Sequence, residues 1–237
     1  MSTPISPSTS PAAPTPSTLA WRLLQPADLD AMEVLHRLSL AGMAAHTVKA
    51  ESRDFLASLL QGRGQVIGAW AGQALVAYGV LQHDLLPEDD PRPHLGLPAD
   101  RPVAKLAGAA VAPDWRGQHL QRTLIARRMA QAQPGAVLFA TAAPDNTASW
   151  HNLLACGFAV RALEYRYGGF ARYLLAHDPA APSAGPTLAA SGLDVPSSDL
   201  PRQQALLHAG WRGVAPGSAA GSAAGSLHLA PPPGGAA

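Results

Sequence analysis

Residues 103–131 restrict the possible fold more than any other part of the chain. Val103 to Val111, rich in Ala and Gly, reads as a strand, Ala112-Pro113-Asp114-Trp115-Arg116-Gly117-Gln118-His119 as a loop, and Leu120 to Gln131 as an amphipathic helix with Leu120, Leu124, Ile125 and Met129 inward. A strand that passes through a short loop into a helix leaves the first backbone N–H groups of that helix without intrahelical partners. The helix dipole adds about half a positive charge at the same end. Such a turn is an anion site, and phosphate is its natural guest. Arg116 contributes a permanently charged, forked donor, and Gly117 lets the backbone turn with no Cβ in the way.

The flanking pattern supplies the rest of an α/β fold. Upstream, residues 21–24 read as a short strand, 29–40 as a helix with apolar residues at 29, 32, 34, 35 and 38, and 51–60 as a second helix closed by Gly62 and Gly64. Residues 65–70 and 74–81 are β-prone runs joined across Ala71-Gly72-Gln73, the length and chemistry of a hairpin. Downstream come a strand at 137–142, a helix at 146–155 stopped by Gly157, and a closing hairpin of 158–167 with 170–176 across Gly168-Gly169. The order β α α β β β α β α β β predicts a mixed sheet with helices packed on it. Between the hairpin and residue 103, the segment 83–102 has five prolines and the acids Asp84, Glu88, Asp89 and Asp90, and is expected to be irregular.

Composition sets the domain limits. Of the 33 charged side chains, 29 fall between residues 20 and 178, whereas 1–19, 179–197 and 214–237 carry almost none, and 48 alanines inflate the apolar fraction without adding bulk. The expected organisation is a disordered leader at 1–19, one domain at 20–178, a linker at 179–197, a short docking helix with a strand-like segment at 198–214, and a disordered low-complexity tail at 215–237. The leader has five prolines and no Lys or Arg, unlike a secretory signal. No apolar run reaches the roughly 18 to 20 residues that cross a bilayer. The single Cys156 excludes a disulfide framework within the chain and points to a reducing compartment, so the cytoplasm is expected. A net charge of +1 argues against a broad nucleic-acid surface. No metal site is expected, since no metal-binding or P-loop spacing occurs.

The segment from Val111 through Arg116-Gly117-Gln118-His119-Leu120-Gln121 to Leu124 resembles the acyl-CoA pyrophosphate loop of the GNAT superfamily of N-acetyltransferases, where a strand ends in V-x-P-x-x-R-G-x-G-hydrophobic-G/A and enters a helix. Asp145-Asn146-Thr147-Ala148-Ser149 through Cys156-Gly157-Phe158 is similar to that family's following N-x-x-(A/S) helix ending in G-F. The resemblance spans about residues 21–178. It implies a GNAT-like α/β fold: a central, mixed, mostly antiparallel sheet with one splayed parallel strand pair and helices on both faces. It further implies transfer of an acetyl or other short acyl group from acetyl-CoA to an amine, the partners being an acyl-CoA and an unidentified amine acceptor, in a monomer or homodimer.

In the positions that match the family, the pantetheine arm would bond like an extra strand to the backbone around Ala109 and Val111. The pyrophosphate would sit on the N–H groups of Gly117, Gln118, His119, Leu120 and Gln121 with Arg116 at the rim, and Asn146 would lie near the acyl-bearing end. Three positions depart from the pattern. His119 and Gln121 replace small residues, which is tolerable where φ stays negative. Leu153 stands where many members carry the Tyr that protonates the departing thiolate, and the strand before the loop offers no carboxylate base, only Lys105. The catalytic acid and base are therefore unassigned, with Tyr165, Tyr167 and Tyr173 as possible replacements for the acid. The alternatives are a CoA-binding regulator without catalysis, motivated by Leu153, and an interaction protein acting through the Pro-rich ends and residues 198–214.

Overall fold

The computed structural model describes residues 19–181, 192–218 and 225–232. Its elements in chain order are β1 (Ala20–Leu23), α1 (Leu29–Leu40), α2 (Arg53–Ser58), β2 (Gly64–Ala71), β3 (Ala74–Gln82), the single turn α3 (Arg92–Leu95), β4 (Val103–Val111), α4 (Leu120–Gln131), β5 (Val137–Ala142), α5 (Thr147–Ala155), β6 (Ala159–Arg166), β7 (Phe170–His177), β8 (Leu193–Pro196), α6 (Leu200–His208), β9 (Arg212–Pro216) and β10 (Ser226–Ala230). The strands form one sheet in the order β1-β2-β3-β4-β5-β7-β6-β9-β10-β8. Only β4 and β5 pair in parallel; every other neighbouring pair is antiparallel. Helix starts follow the capping chemistry of the sequence. Ser52, Asn146 and Asp199 each accept a hydrogen bond from the backbone N–H three residues on, at the starts of α2, α5 and α6.

The core is in two parts. One gathers Met32, Leu35, Leu56, Val66, Tyr78 and Leu124 beneath the N-terminal half of the sheet; the other gathers Leu138, Trp150, Phe158, Tyr173 and Leu175 beneath the C-terminal half. Helix α4 is the seam, with Leu120 and Leu124 in the first part and Ile125 in the second. A sheet whose central strands diverge cannot pack one continuous face, and the division of the core follows that divergence.

Several expectations need correction. On α1, Met32 and Leu35 are buried, but Val34 and Leu38 are 58% and 47% exposed and the inward face is completed by His36 and Ser39. At 3.6 residues per turn, positions 34 and 38 fall on the opposite face from 32, 35 and 39. His36 is held from both sides: its Nε2 accepts from the Glu51 N–H at 3.0 Å, so Nδ1 carries the proton that is donated to the Tyr78 hydroxyl at 2.8 Å. Burial pushes the His36 imidazolium below its ordinary pKa.

The segment 83–102 contains a 3-10 turn at Pro87–Asp89 and the helical turn α3. Three of its acids are engaged rather than displayed: Asp84 pairs with Arg63, Asp90 with Arg92, and Asp89 with both Lys105 and Arg166.

The largest correction concerns the C-terminal region. The expected linker contains β8 and the expected low-complexity tail contains β10, and both strands belong to the sheet. Val195, Leu227 and Leu229 are fully buried and belong to the same core part as Trp150 and Tyr173. Strands of four and five residues with alternating apolar positions are too short to register in composition. The buried Gln203 of α6 locks this addition to the rest: it accepts from the Tyr173 hydroxyl at 2.5 Å and donates to the Pro196 carbonyl at 2.6 Å. The expected leader falls outside the described residues except for its last, Leu19. Among the described residues no helix is long and apolar enough to cross a membrane, and no cluster of three or more His, Cys, Asp or Glu is placed to hold a metal ion.

Candidate functional site

β4 and β5 pair only at Val103 with Val137, Ala104 with Leu138 and Lys105 with Phe139. Beyond that point they part. The cause lies on the other edge of β4, where Gly79 faces Ala109 but Leu81 faces Leu106, so β4 carries one more residue than β3 across the same span. Such a bulge bends the strand away from its next neighbour. Arg128, 2% exposed, fills the bulge: its Nη1 donates to the carbonyls of Val80 at 3.2 Å and Ala107 at 3.3 Å, and its Nε donates to Leu124 at 3.1 Å. The close approach requires glycine at position 79, where a Cβ would lie 2.9 Å from Arg128 Nε. Burial lowers the Arg128 pKa to about 10, which leaves it charged at neutral pH. The inward residue after Ile125 is therefore Arg128, with the expected Met129 only partly buried. The four-residue spacing 120, 124, 128 is the sequence signal that marks it.

The divergence opens a cleft of about 810 Å³. Along one side run Ala109, Val111, Arg116, Gly117, His119, Leu120, Gln121 and Asn146. Gln118 does not line it; its Oε1 is buried without a hydrogen-bond partner. Ala112 donates its N–H to Val76 of β3 at 2.9 Å, and the alternation of strand peptides then turns the N–H and C=O groups of Ala109 and Val111 the opposite way, toward the gap. The backbone N–H groups of residues 117–122 meet no backbone or side-chain acceptor among the described residues; Arg116 donates to Pro113 before them and Thr123 to His119 after them. The Arg116 guanidinium ties the loop to the end of α1, with Nη2 donating to the Ser39 carbonyl at 3.0 Å. Asn146 is an N-cap, its side chain accepting from Ser149 at 3.2 Å.

His119 departs from the expected negative φ: it sits at φ +58°, in the left-handed region, and Gly117 at +78°. Ending the loop and starting α4 within two residues requires that reversal of the backbone, and a side chain there is strained by about 1 kcal/mol. Leu153 lines the floor of the cleft and is buried in the core.

The other side of the cleft draws on residues far apart in sequence: Lys49, Asp89, Lys105, Thr141, Tyr167 and Arg172. Lys105, the base candidate on β4, donates to Asp89 at 2.9 Å. The three tyrosines part company. Tyr165 is 58% exposed, and Tyr173 is fully buried against Gln203. Tyr167 reaches the cleft from the β6–β7 turn with φ +55°, its hydroxyl 3.5 Å from Lys105 Nζ and 3.4 Å from Thr141 Oγ1. Lys105 is the last paired residue of β4 and Thr141 lies two beyond the last paired residue of β5, so this hydroxyl stands where the strands begin to part. Lys49, Arg172 and Lys105 surround its ring at 5.2, 5.7 and 6.0 Å from the centroid. A second hollow of about 340 Å³ adjoins, sharing Ala143 and Arg172 with the cleft and adding His46, Asp145, Phe170 and, from the C-terminal addition, Ser197 and Leu200. His46 Nε2 and an Asp145 carboxylate oxygen lie 2.7 Å apart there. Cys156 is partly buried, and burial raises its thiol pKa, away from nucleophilic use.

No curated protein matches the chain. Solved structures with the same fold include an N-acetyltransferase from Staphylococcus aureus Mu50 at 15% identity and TM-score 0.53, covering 68% of this chain and 97% of that one. A putative acetyltransferase from Salmonella typhimurium, solved with its cofactor acetyl-CoA, has 19% identity and TM-score 0.52 over 70% of this chain and 99% of its own. The ribosomal-protein-S18-alanine N-acetyltransferase from Escherichia coli has 19% identity and TM-score 0.50, over 72% and 98%. At these identities the likeness concerns the fold. The model of the acetyltransferase (GNAT) family matches residues 32–158, more than half of the chain and the stretch that builds both the diverging strands and the loop after them, and the chain accordingly belongs to the GNAT acetyltransferase family.

Proposed function

We propose that the protein transfers an acetyl or similar short acyl group from acetyl-CoA to an amine in the cytoplasm. The observation that carries this reading is the run of six consecutive backbone N–H groups, residues 117–122, without acceptors at the mouth of a gap between parting strands. Those donors and the start of α4 suit a diphosphate. The outward-turned peptides of Ala109 and Val111 suit the amide groups of a pantetheine arm, which would lie in the gap as a strand does. Of the loop residues, Gln118 contributes its backbone alone, since its side chain does not line the cleft.

An amine must be neutral to attack the thioester carbonyl, and the departing thiolate must gain a proton. Leu153 has none to give. Tyr167 is the group we assign to that proton, because its hydroxyl stands where the strands begin to part, 3.5 Å from Lys105 Nζ and 3.4 Å from Thr141 Oγ1. Alignment of the two reactants in the cleft supplies much of the acceleration.

Calorimetric titration with acetyl-CoA tests the reading. The wild type should bind in the micromolar range, about 8 kcal/mol. Arg116→Ala combined with Gly117→Glu should weaken binding at least a hundredfold, because the new carboxylate enters the anion cradle and any side chain at φ +78° strains the loop. Equal affinity in the double variant would remove the cradle from the account. Leu153 favours one second reading, a CoA-binding regulator. Tight acetyl-CoA binding without thiol release for any amine would establish it.

A further inference from the structure

The exposed cations Arg116 and Arg122 donate to the Ser39 carbonyl and to Asn152, and the other cations that line the cleft are held by acids or carbonyls, with one exception. Lys49 pairs with Glu51 at 3.2 Å, Lys105 with Asp89 at 2.9 Å, and Arg63 with Asp84 at 3.0 Å. Arg128 is satisfied by three carbonyls. Arg172 is 4% exposed and has no ion pair among the described residues. Its Nη1 donates to the neighbouring Ala171 carbonyl at 2.8 Å, and its Nη2 is sealed from solvent and meets no acceptor. The nearby Asp145 acts on it only through space, since that carboxylate is held by His46. The guanidinium lies over the rings of Tyr167 and Phe170, 5.7 and 5.9 Å from their centroids, which fixes its plane without neutralising it.

A buried guanidinium with neither an anion nor, as Arg128 has, a set of carbonyl acceptors is expensive, and a bound anion would complete it. Arg172 also stands on the wall shared by the cleft and the adjoining hollow, one residue before Tyr173, which pairs with Ala142 at the end of β5. We infer, building on the acyl-transfer reading, that the acceptor is a small amine that also carries a carboxylate, and that Arg172 is the residue that binds this carboxylate. A guanidinium gives a carboxylate charge-assisted hydrogen bonds from a rigid, permanently charged plane, which a lysine reproduces only in part. Ser197 and Leu200 make the C-terminal addition one wall of the hollow, so the same addition limits the size of the acceptor.

The test compares acceptors in pairs that differ only at the acid: free L-amino acids against their α-amides, with simple alkylamines as a third series, by acetyl-CoA-dependent thiol release. Acetyl-CoA affinity is measured in parallel. The acids should exceed their amides at least tenfold in kcat/KM, mainly through KM. In Arg172→Met that ratio should collapse toward one, and Arg172→Lys should restore part of it. Acetyl-CoA affinity and near-ultraviolet circular dichroism of each variant report whether it is folded, and the wild-type ratio needs no variant. A wild-type ratio near one, or a preference for acids that survives Arg172→Met, overturns the assignment while acyl transfer stands. Acetyl-CoA binding without thiol release from any member of the panel, or no acetyl-CoA binding, overturns acyl transfer and the acceptor assignment with it.

Discussion

The two sides of the cleft are made in different ways. The loop side comes almost entirely from one continuous stretch, β4 to the first turn of α4, and its donors are backbone groups that any sequence adopting the turn would present. The opposite side joins Lys105, at the paired start of β4, to Lys49, Asp89, Thr141, Tyr167 and Arg172 from elsewhere in the chain, and its chemistry lies in side chains. A site of backbone donors tolerates substitution so long as φ and ψ can be reached, which is how His119 persists where a glycine would be unstrained. A site of side chains has no such tolerance. The common element can be held constant while the second partner of the reaction is changed residue by residue.

The strongest test of this contrast is Tyr167→Phe. It should lower the rate of thiol release about 100-fold, within the usual range for a positioned acid, and leave acetyl-CoA affinity within twofold. Loss of affinity as well would mean that the two sides are not separable. Arg128→Met should break both together: it leaves the Val80 and Ala107 carbonyls without their donor and should lower stability by about 2 to 5 kcal/mol, read from urea midpoints. A stable variant with normal acetyl-CoA binding would show that the bulge does not depend on Arg128.

His119→Gly should affect the loop side alone and in the opposite sense. Relief of the positive φ should raise stability by about 0.5 to 1 kcal/mol with acetyl-CoA affinity changed less than threefold. The smallest effect is that of pH. Because burial lowers the His36 pKa, the unfolded chain takes up a proton below about pH 6.5 that the folded chain refuses, so stability is flat above that pH and falls as pH drops toward the folded value. His36 holds the Glu51 N–H, and Glu51 pairs with Lys49, so the loss should loosen the side-chain side of the cleft first. His151, also lowered by burial, adds to the same trend. Urea midpoints at pH 7.5 and 5.5 should differ less in His36→Gln than in the wild type.

Residues near one another in sequence were legible before any coordinates. The bounds of β4, α4 and β5 follow directly from strand and helix periodicity, and the arginine-glycine loop between them is a local pattern. The side chains opposite were not legible in this way. Tyr167 was one of three equivalent tyrosines until the β6–β7 turn directed it into the cleft. Arg172 resembled any polar residue on a strand until its surroundings left its charge unmatched. The missed strands β8 and β10 failed for a related reason, since Leu227 and Leu229 gain meaning only when α6 and Tyr173 bury them.

The sequence alone therefore determined the turn between β4 and α4, the order of the elements as far as β7 and, through the family pattern, the class of fold, because each depends on contacts within a few residues of one another. Only the tertiary structure decided where β4 leaves β5, which buried arginine holds that parting and which one has no ion pair among the described residues. Those features arise from the desolvation and pairing of groups tens of residues apart, and no periodicity along the chain encodes them.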